Sequence, residues 1–256
     1  VEFNPRLGVV WQASDTWRWQ AAVYDAYRLP TLNELYRPFR VGSVITEANP
    51  LLKTEHLTGV ELGTTWTSER SSLRLTGFVN EVEDAVANVT LGFGPGVVPG
   101  VGFVPNGGIG RRRENLDQIT VNGFEFALTQ RISDDLTVRA DYLYTDAKDD
   151  ATGRRLPQVS AHTVVSGLDW NPHSRWHFQV QGRYVSDAYE DDGNTLGLTS
   201  ALTWDVRVSH QIDEKTELFL AVENLTDKNV VVGRTTSGLL DLGTPRFARL
   251  GVRRNW

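Results

Sequence analysis

The feature that most constrains this chain is a two-residue period sustained over long stretches. In LTVRADYLY, Leu136, Val138, Ala140, Tyr142 and Tyr144 share one face and Thr137, Arg139 and Asp141 the other. WHFQVQGRYV sets Trp176, Phe178, Val180, Gly182 and Tyr184 against His177, Gln179, Gln181 and Arg183. LTWDVRVSH sets Leu202, Trp204, Val206 and Val208 against Thr203, Asp205, Arg207 and Ser209, and TELFLAVEN and RFARLGVRRNW behave likewise. Successive side chains of a strand point to opposite faces, so the pattern predicts sheet with one apolar and one polar face. No segment carries a long helical period.

The connections alternate in length. ASDT (13–16), SERS (68–71), SDD (133–135), NPHS (171–174) and DEK (213–215) are short and rich in Asp, Ser and Asn, as tight hairpins require. Between them fall long connections at 29–54, 84–117, 148–157, 188–200 and 225–245. The spacing predicts an all-β, antiparallel up-and-down meander of about 11 strands, mostly of about 10–13 residues.

A soluble sandwich also accepts alternation, but its strands average about 5–6 residues. Strands of about 9–11 residues or more suit a bilayer. Arg, Asp, Gln and His in mid-strand suit a water-filled lumen better than a packed core. Trp11, Trp17, Trp19, Trp66, Trp170 and Trp176 lie near short turns, and Trp256 ends the chain. Tyr27, Tyr142, Tyr144, Tyr184 and Tyr189 lie toward the long loops. Two aromatic girdles favour a transmembrane β-barrel, with short periplasmic turns and long extracellular loops.

Composition excludes several classes. A net charge of -6 gives no footprint for nucleic acid, and zero cysteines preclude disulfides and thiolate metal sites. No run of 18 apolar residues encodes a membrane helix. Methionine is absent even at position 1 and the expected strand count is odd, so strands are expected upstream.

Certain phrases resemble the barrel of TonB-dependent outer-membrane receptors: Arg28-Leu-Pro-Thr-Leu-Asn-Glu-Leu-Tyr36, Ala48-Asn-Pro-Leu-Leu-Lys-Thr-Glu55, and Gly59-Val-Glu61, echoed at Gly123-Phe-Glu125. VENLTDKNV (222–230) is similar to the family's penultimate strand and following turn. Thr54 stands where proline is usual, and Arg254 where an apolar residue is usual. The resemblance implies that 1–256 is the C-terminal part of a 22-stranded barrel, with plug domain and N-terminal strands absent. It implies active uptake of a scarce ligand, most simply a ferric siderophore or similar metal chelate, and no enzyme activity or cofactor. Implied partners are outer-membrane lipid and lipopolysaccharide, the barrel-assembly machinery reading Trp256, and TonB through the absent N-terminal part. A complete small or oligomeric pore with passive transport is the alternative.

Candidate ligand contacts are Tyr36, Arg37, Phe39 and Arg40, and the triplet Arg111-Arg112-Arg113 as a clamp for an anionic chelate. Lipopolysaccharide phosphates would suit the triplet equally. It follows GFGPGVVPGVGFVPNGGIG (92–110), which reads as a flexible outer loop and lacks the Gly-Lys-Ser/Thr of a phosphate loop. In PTLNELY, Pro30 would open a short turn of helix. Asp149-Asp150 and Glu190-Asp191-Asp192-Gly193 lack the alternating spacing of a calcium loop and read as solvated charge. His173 and His177 straddle a turn and make no zinc pair. Asp141, His177, Asp205 and Ser209 face the expected lumen, but no nucleophile elbow accompanies them.

Overall fold

A computed structural model describes residues 3–255. Eleven strands follow one another in chain order through a single antiparallel sheet. They are β1 (Arg6–Gln12), β2 (Trp17–Arg28), β3 (Glu55–Thr67), β4 (Ser71–Phe93), β5 (Ile109–Arg131) and β6 (Leu136–Asp149), then β7 (His162–His173), β8 (Trp176–Val185), β9 (Ala201–Asp213), β10 (Thr216–Glu223) and β11 (Phe247–Arg254). The sheet begins at β1 and ends at β11, and among the described residues these two do not pair. A short strand, Val44–Glu47, adds to β5 in parallel beyond the meander.

Four of the five short connections fall within a residue or two of where the sequence puts them, held by local side-chain bonds, whereas the strand runs through Asn171–His173 and turns at Ser174 and Arg175. Ser14 Oγ accepts from the amides of Thr16 and Trp17, and Asp213 Oδ1 accepts from the Lys215 amide at 2.9 Å. Such bonds are why Ser and Asp crowd hairpin turns.

Register makes the two faces continuous across strands. Trp11 opposes Trp19, Trp17 opposes Trp66, and Trp170 opposes Phe178. By alternation the same face carries Leu7, Val9, Val23, Val60, Leu62, Leu75, Val79, Leu218, Leu220, Leu250 and Val252, all exposed. The opposite face is polar and internally paired. Tyr24 donates from its hydroxyl to Glu61 at 2.8 Å and Asn80 at 2.9 Å. Asp169 takes Arg139, His177 (3.1 Å) and Gln179 (3.0 Å), and Arg207 pairs with Glu217 at 2.7 Å. The large apolar side chains thus point away from the molecule and the charges toward its interior, the inverse of a water-soluble sheet.

Two expectations need correction. Residues 84–117 are not one long loop. β4 and β5 are each 23 residues long and stay paired as far as Phe93 and Ile109. Alternate residues of DAVANVTL are apolar (Ala85, Ala87, Val89 and Leu91), but its partner RRREN carries polar side chains on both faces, so no apolar stripe continues across the pair. The Gly- and Pro-rich segment is likewise a folded tip. Gly96–Val98 and Gly102–Val104 form a hairpin with Val98 and Val104 buried. A Cβ on Gly92 or Gly110 would lie 3.1–3.2 Å from those valines, so the missing side chains let the hairpin lie flat on the strands.

Candidate functional site

The long-loop end of the sheet is built around α1 (Leu32–Tyr36). Pro30 precedes the N-cap rather than opening the helix. Thr31 is the N-cap, its hydroxyl accepts from the Glu34 amide, and Glu34 accepts from the Thr31 amide at 2.7 Å. This capping box satisfies two amides that a helix start leaves unpaired. Arg28, the last residue of β2, ties Glu34 (3.0 Å) to Glu55 of β3, and Glu55 also accepts from the Val86 amide of β4 at 2.5 Å. Burial pushes the Glu34 carboxyl up, but the bonds from Arg28 and Thr31 outweigh it and the net shift is downward. Asn49 of the ANP phrase donates to the Arg113 carbonyl at 2.9 Å, which fastens the 29–54 segment to β5.

Beside this frame lies a cavity of about 800 Å³. Its wall includes Val86–Thr90 of β4, Arg111 and Arg113 of β5, Glu34, the segment from Thr152 to Val159, Glu190 and Asp192. Glu190 is the node that joins three segments. Arg111 sits 3.6 Å from its carboxylate and Gln158 donates to it at 2.6 Å. Burial raises the Glu190 pKa, and Arg111 and Gln158 only partly offset this. Asp192 accepts from the Thr90 amide and hydroxyl at 3.1 and 2.5 Å. Arg155 binds Asp187 at 3.1 Å and stacks on Tyr189. Arg154 also lines the cavity, and its guanidinium has no partner among the described residues. Four arginines and four carboxylates therefore share one concave surface, which suits a polar ligand holding both acceptors and donors.

The arginine triplet does not converge. A strand alternates, so Arg111 and Arg113 face the cavity while Arg112 points away and pairs with Glu114. Arg113 donates to the Asn33 carbonyl at 2.7 Å and lies over the Phe39 ring. Tyr36, Arg37, Phe39 and Arg40 lie outside the cavity wall, and Arg40 donates to the Gly42 carbonyl at 2.8 Å. Asp191 is 1% exposed and staples its own loop by accepting from Thr195 and Leu196, while Asp149 and Asp150 bond Thr152 and Thr120. No cluster of three metal-ligating side chains occurs among the described residues. Ser209 opposes His177 in register, but His177 Nε2 bonds Asp169 and Asp205 accepts from the Asn224 amide.

Trp11, Trp17, Trp19, Trp66, Trp170 and Trp176 all lie on the apolar face toward the short turns. Tyr27, Tyr142, Tyr144 and Tyr184 share that face, whereas Tyr189 belongs to the loop layer. Trp256 lies outside the described residues. Sequence reasoning missed Arg154, Arg155, Gln158 and Glu190 as a group. GRRLPQ and YEDD are unremarkable loop phrases, and only the pairing of β6 through β9 brings them together.

A long meander with an apolar outer face, a charged inner face and its elaborate loops at one end is the wall of a β-barrel. Residues 1–225 match the family described as TonB dependent receptor-like, beta-barrel, and the chain belongs to that family of outer-membrane receptors. No curated protein matches the chain. Similar solved structures include a copper transporter, OprC, with a TM-score of 0.78 and 16% identity over 97% of this chain and 38% of that one. A ferric enterobactin receptor mutant from Pseudomonas aeruginosa gives 0.72 and 20% over 97% and 39%. The siderophore receptor PiuA from Acinetobacter baumannii gives 0.73 and 18% over 97% and 35%. At these identities the likeness is one of fold, and the chain spans less than half the length of each neighbour.

Proposed function

We propose that the protein is an outer-membrane receptor that takes up a scarce ligand, a ferric siderophore or a related metal chelate, with energy delivered through TonB. The cavity at the loop end carries this reading, taken with the family. It is concave, large enough for a chelate, and lined by donors and acceptors from five segments. In this reading the apolar face meets lipid between the tryptophan and tyrosine girdles, and the polar face lines the barrel interior. Arg111, Arg113, Arg154, Arg155 and Gln158 donate to the ligand's anionic oxygens, while Glu190 and Asp192 hold the loops that shape the site. The 256 residues form the C-terminal part of the barrel, and the plug and TonB-contact segment lie in sequence outside them. The barrel-assembly machinery reads Trp256.

The test is uptake of radiolabelled iron or copper chelates by metal-starved cells with the gene intact, deleted, or intact in a strain lacking TonB. Loss of uptake of one chelate in both mutant strains supports the reading. Uptake that survives loss of TonB would point to a passive pore, and unchanged uptake on deletion would overturn the transport assignment.

A further inference from the structure

We propose that Asn106 is a self-modification site, at which the chain deamidates through its own backbone and so loosens the contact between three loops at the long-loop end. The chain holds two Asn-Gly pairs, Asn106-Gly107 and Asn122-Gly123. A glycine after asparagine leaves no side chain in the way when the next backbone nitrogen approaches the carboxamide. The fold treats the two pairs in opposite ways.

Asn106 is exposed, and neither its carboxamide nor the Gly107 amide makes a hydrogen bond among the described residues. The pair forms the corner of a turn closed by the Gly108 amide donating to the Pro105 carbonyl at 2.9 Å, with Gly107 at φ +69°. Asn122 is half-buried, and Gly123 lies inside the sheet, paired with Phe78 on one side and Thr145 on the other. Bringing the Gly123 nitrogen to the Asn122 side chain would break that ladder. The one Asp-Gly pair, Asp192-Gly193, is held as well, because the Asp192 carboxylate accepts from the Thr90 amide and hydroxyl at 3.1 and 2.5 Å. Of the three pairs, only Asn106-Gly107 combines a free side chain, a free neighbouring amide and access to water.

The Gly107 nitrogen forms a bond to Asn106 Cγ as the Cγ–Nδ2 bond breaks. Nδ2 takes the proton that the Gly107 nitrogen gives up and leaves as ammonia. Water then opens the cyclic imide. Attack at the Asn106 main-chain carbonyl reroutes the backbone through Cγ as isoaspartate, and attack at Cγ gives aspartate. The reaction is independent of which ligand the cavity binds.

Its consequence follows from how the turn is wedged. A Cβ on Gly107 would lie 2.4 Å from Ser237 Oγ, and one on Gly108 would lie 2.5 Å from the Ser43 carbonyl oxygen. That oxygen also accepts from the Ile109 amide at 3.3 Å. Ser237 tips the hairpin of Val231–Arg234 and Leu240–Leu242. The hairpin otherwise leans on the loop layer through Gln158, which donates to the Val232 carbonyl at 3.5 Å, and through Arg234, which donates to the Gly197 carbonyl at 3.4 Å. Isoaspartate adds a methylene to the main chain and a carboxylate to a turn with no room to spare, so the hairpin loses its seat on Gly107.

The full-length protein, purified from outer membranes and aged at mildly alkaline pH in heavy-oxygen water, tests this by tandem mass spectrometry. Asn106 should convert with uptake of one heavy oxygen, isoaspartate exceeding aspartate, while Asn122 stays intact until urea unfolds the protein. Asn106 left unchanged, or Asn122 converting as fast in the folded protein, would overturn the site. Asn106→Gln, at an exposed position that makes no side-chain bond, should abolish the conversion. Limited proteolysis of the 231–242 hairpin should quicken several-fold as the wild type ages and stay constant for Asn106→Gln. Equal quickening of both, or none in a converted wild type, would overturn the loosening.

Discussion

Arg111→Ala should open the loop layer over the cavity, and the size of the effect follows from the burial of its pair. The side chains of Arg111 and Glu190 are 13% and 15% exposed and 3.6 Å apart. Removing one partner of a fully buried pair costs about 3–5 kcal/mol, chiefly because the other charge is left uncompensated. Here Glu190 keeps its bond from Gln158 and some contact with water, so about 2 kcal/mol is expected. At about 1.4 kcal/mol per decade, that is roughly a 30-fold rise in the open population. Limited proteolysis of the 186–200 loop in intact cells reads this quantity when reclosing outpaces cleavage. The double variant Arg111→Ala, Glu190→Ala should be cut more slowly than Arg111→Ala alone, since it removes the stranded charge. The pH dependence has a definite sign. The folded-state pKa of Glu190 is raised, so its protonated form favours closure at low pH and that favour is lost as pH rises through the folded value. The Arg111→Ala defect should therefore shrink on acidification. Cleavage unaltered by Arg111→Ala, or a double variant cut faster than the single one, would refute the reasoning.

Thr31→Ala removes the N-cap of α1 and should destabilise the 29–54 segment by about 1 kcal/mol, seen as faster amide exchange at Leu32–Tyr36. The folded pKa of Glu34 is lowered, so its contribution is present above the ordinary carboxylate value of 4.5 and lost as pH falls through the folded one. The protection of those amides, taken relative to intrinsic exchange at each pH, should fall in acid, and Glu34→Gln should flatten that profile. Gly182→Val drives a Cβ into the Trp204 ring and should lower stability by about 1–3 kcal/mol in urea titrations of the refolded receptor, with Trp204→Ala relieving part of it.

How much of this was legible in the sequence depends on what each residue faces. Leu136–Asp149 and Trp176–Val185 announce themselves because one face of each is apolar and the other polar. In residues 84–93 the alternate residues Ala85, Ala87, Val89 and Leu91 are apolar, but the partner stretch 109–117 carries polar side chains on both faces, and a register shift between Thr90 and Gly92 interrupts the ladder. Thr31 and Glu34 spell a capping box in the sequence, and reading that spacing places Pro30 before the helix rather than in it. The triplet Arg111–Arg113 misleads because contiguous residues of a strand part company. The cavity was illegible for a further reason. Arg154, Gln158 and Glu190 are meaningless singly, and their convergence is a product of pairing across four strands.

The central claim is that alternate residues of these strands face lipid and water. The chain has no native cysteine, so single cysteines can be placed at Glu61 and Leu62 of β3 and at Arg139 and Ala140 of β6. Labelling in outer membranes should divide by parity, with Glu61→Cys and Arg139→Cys taking a charged aqueous thiol reagent and Leu62→Cys and Ala140→Cys taking only a lipid-soluble one. Equal reaction of neighbouring positions with the aqueous reagent would contradict the account.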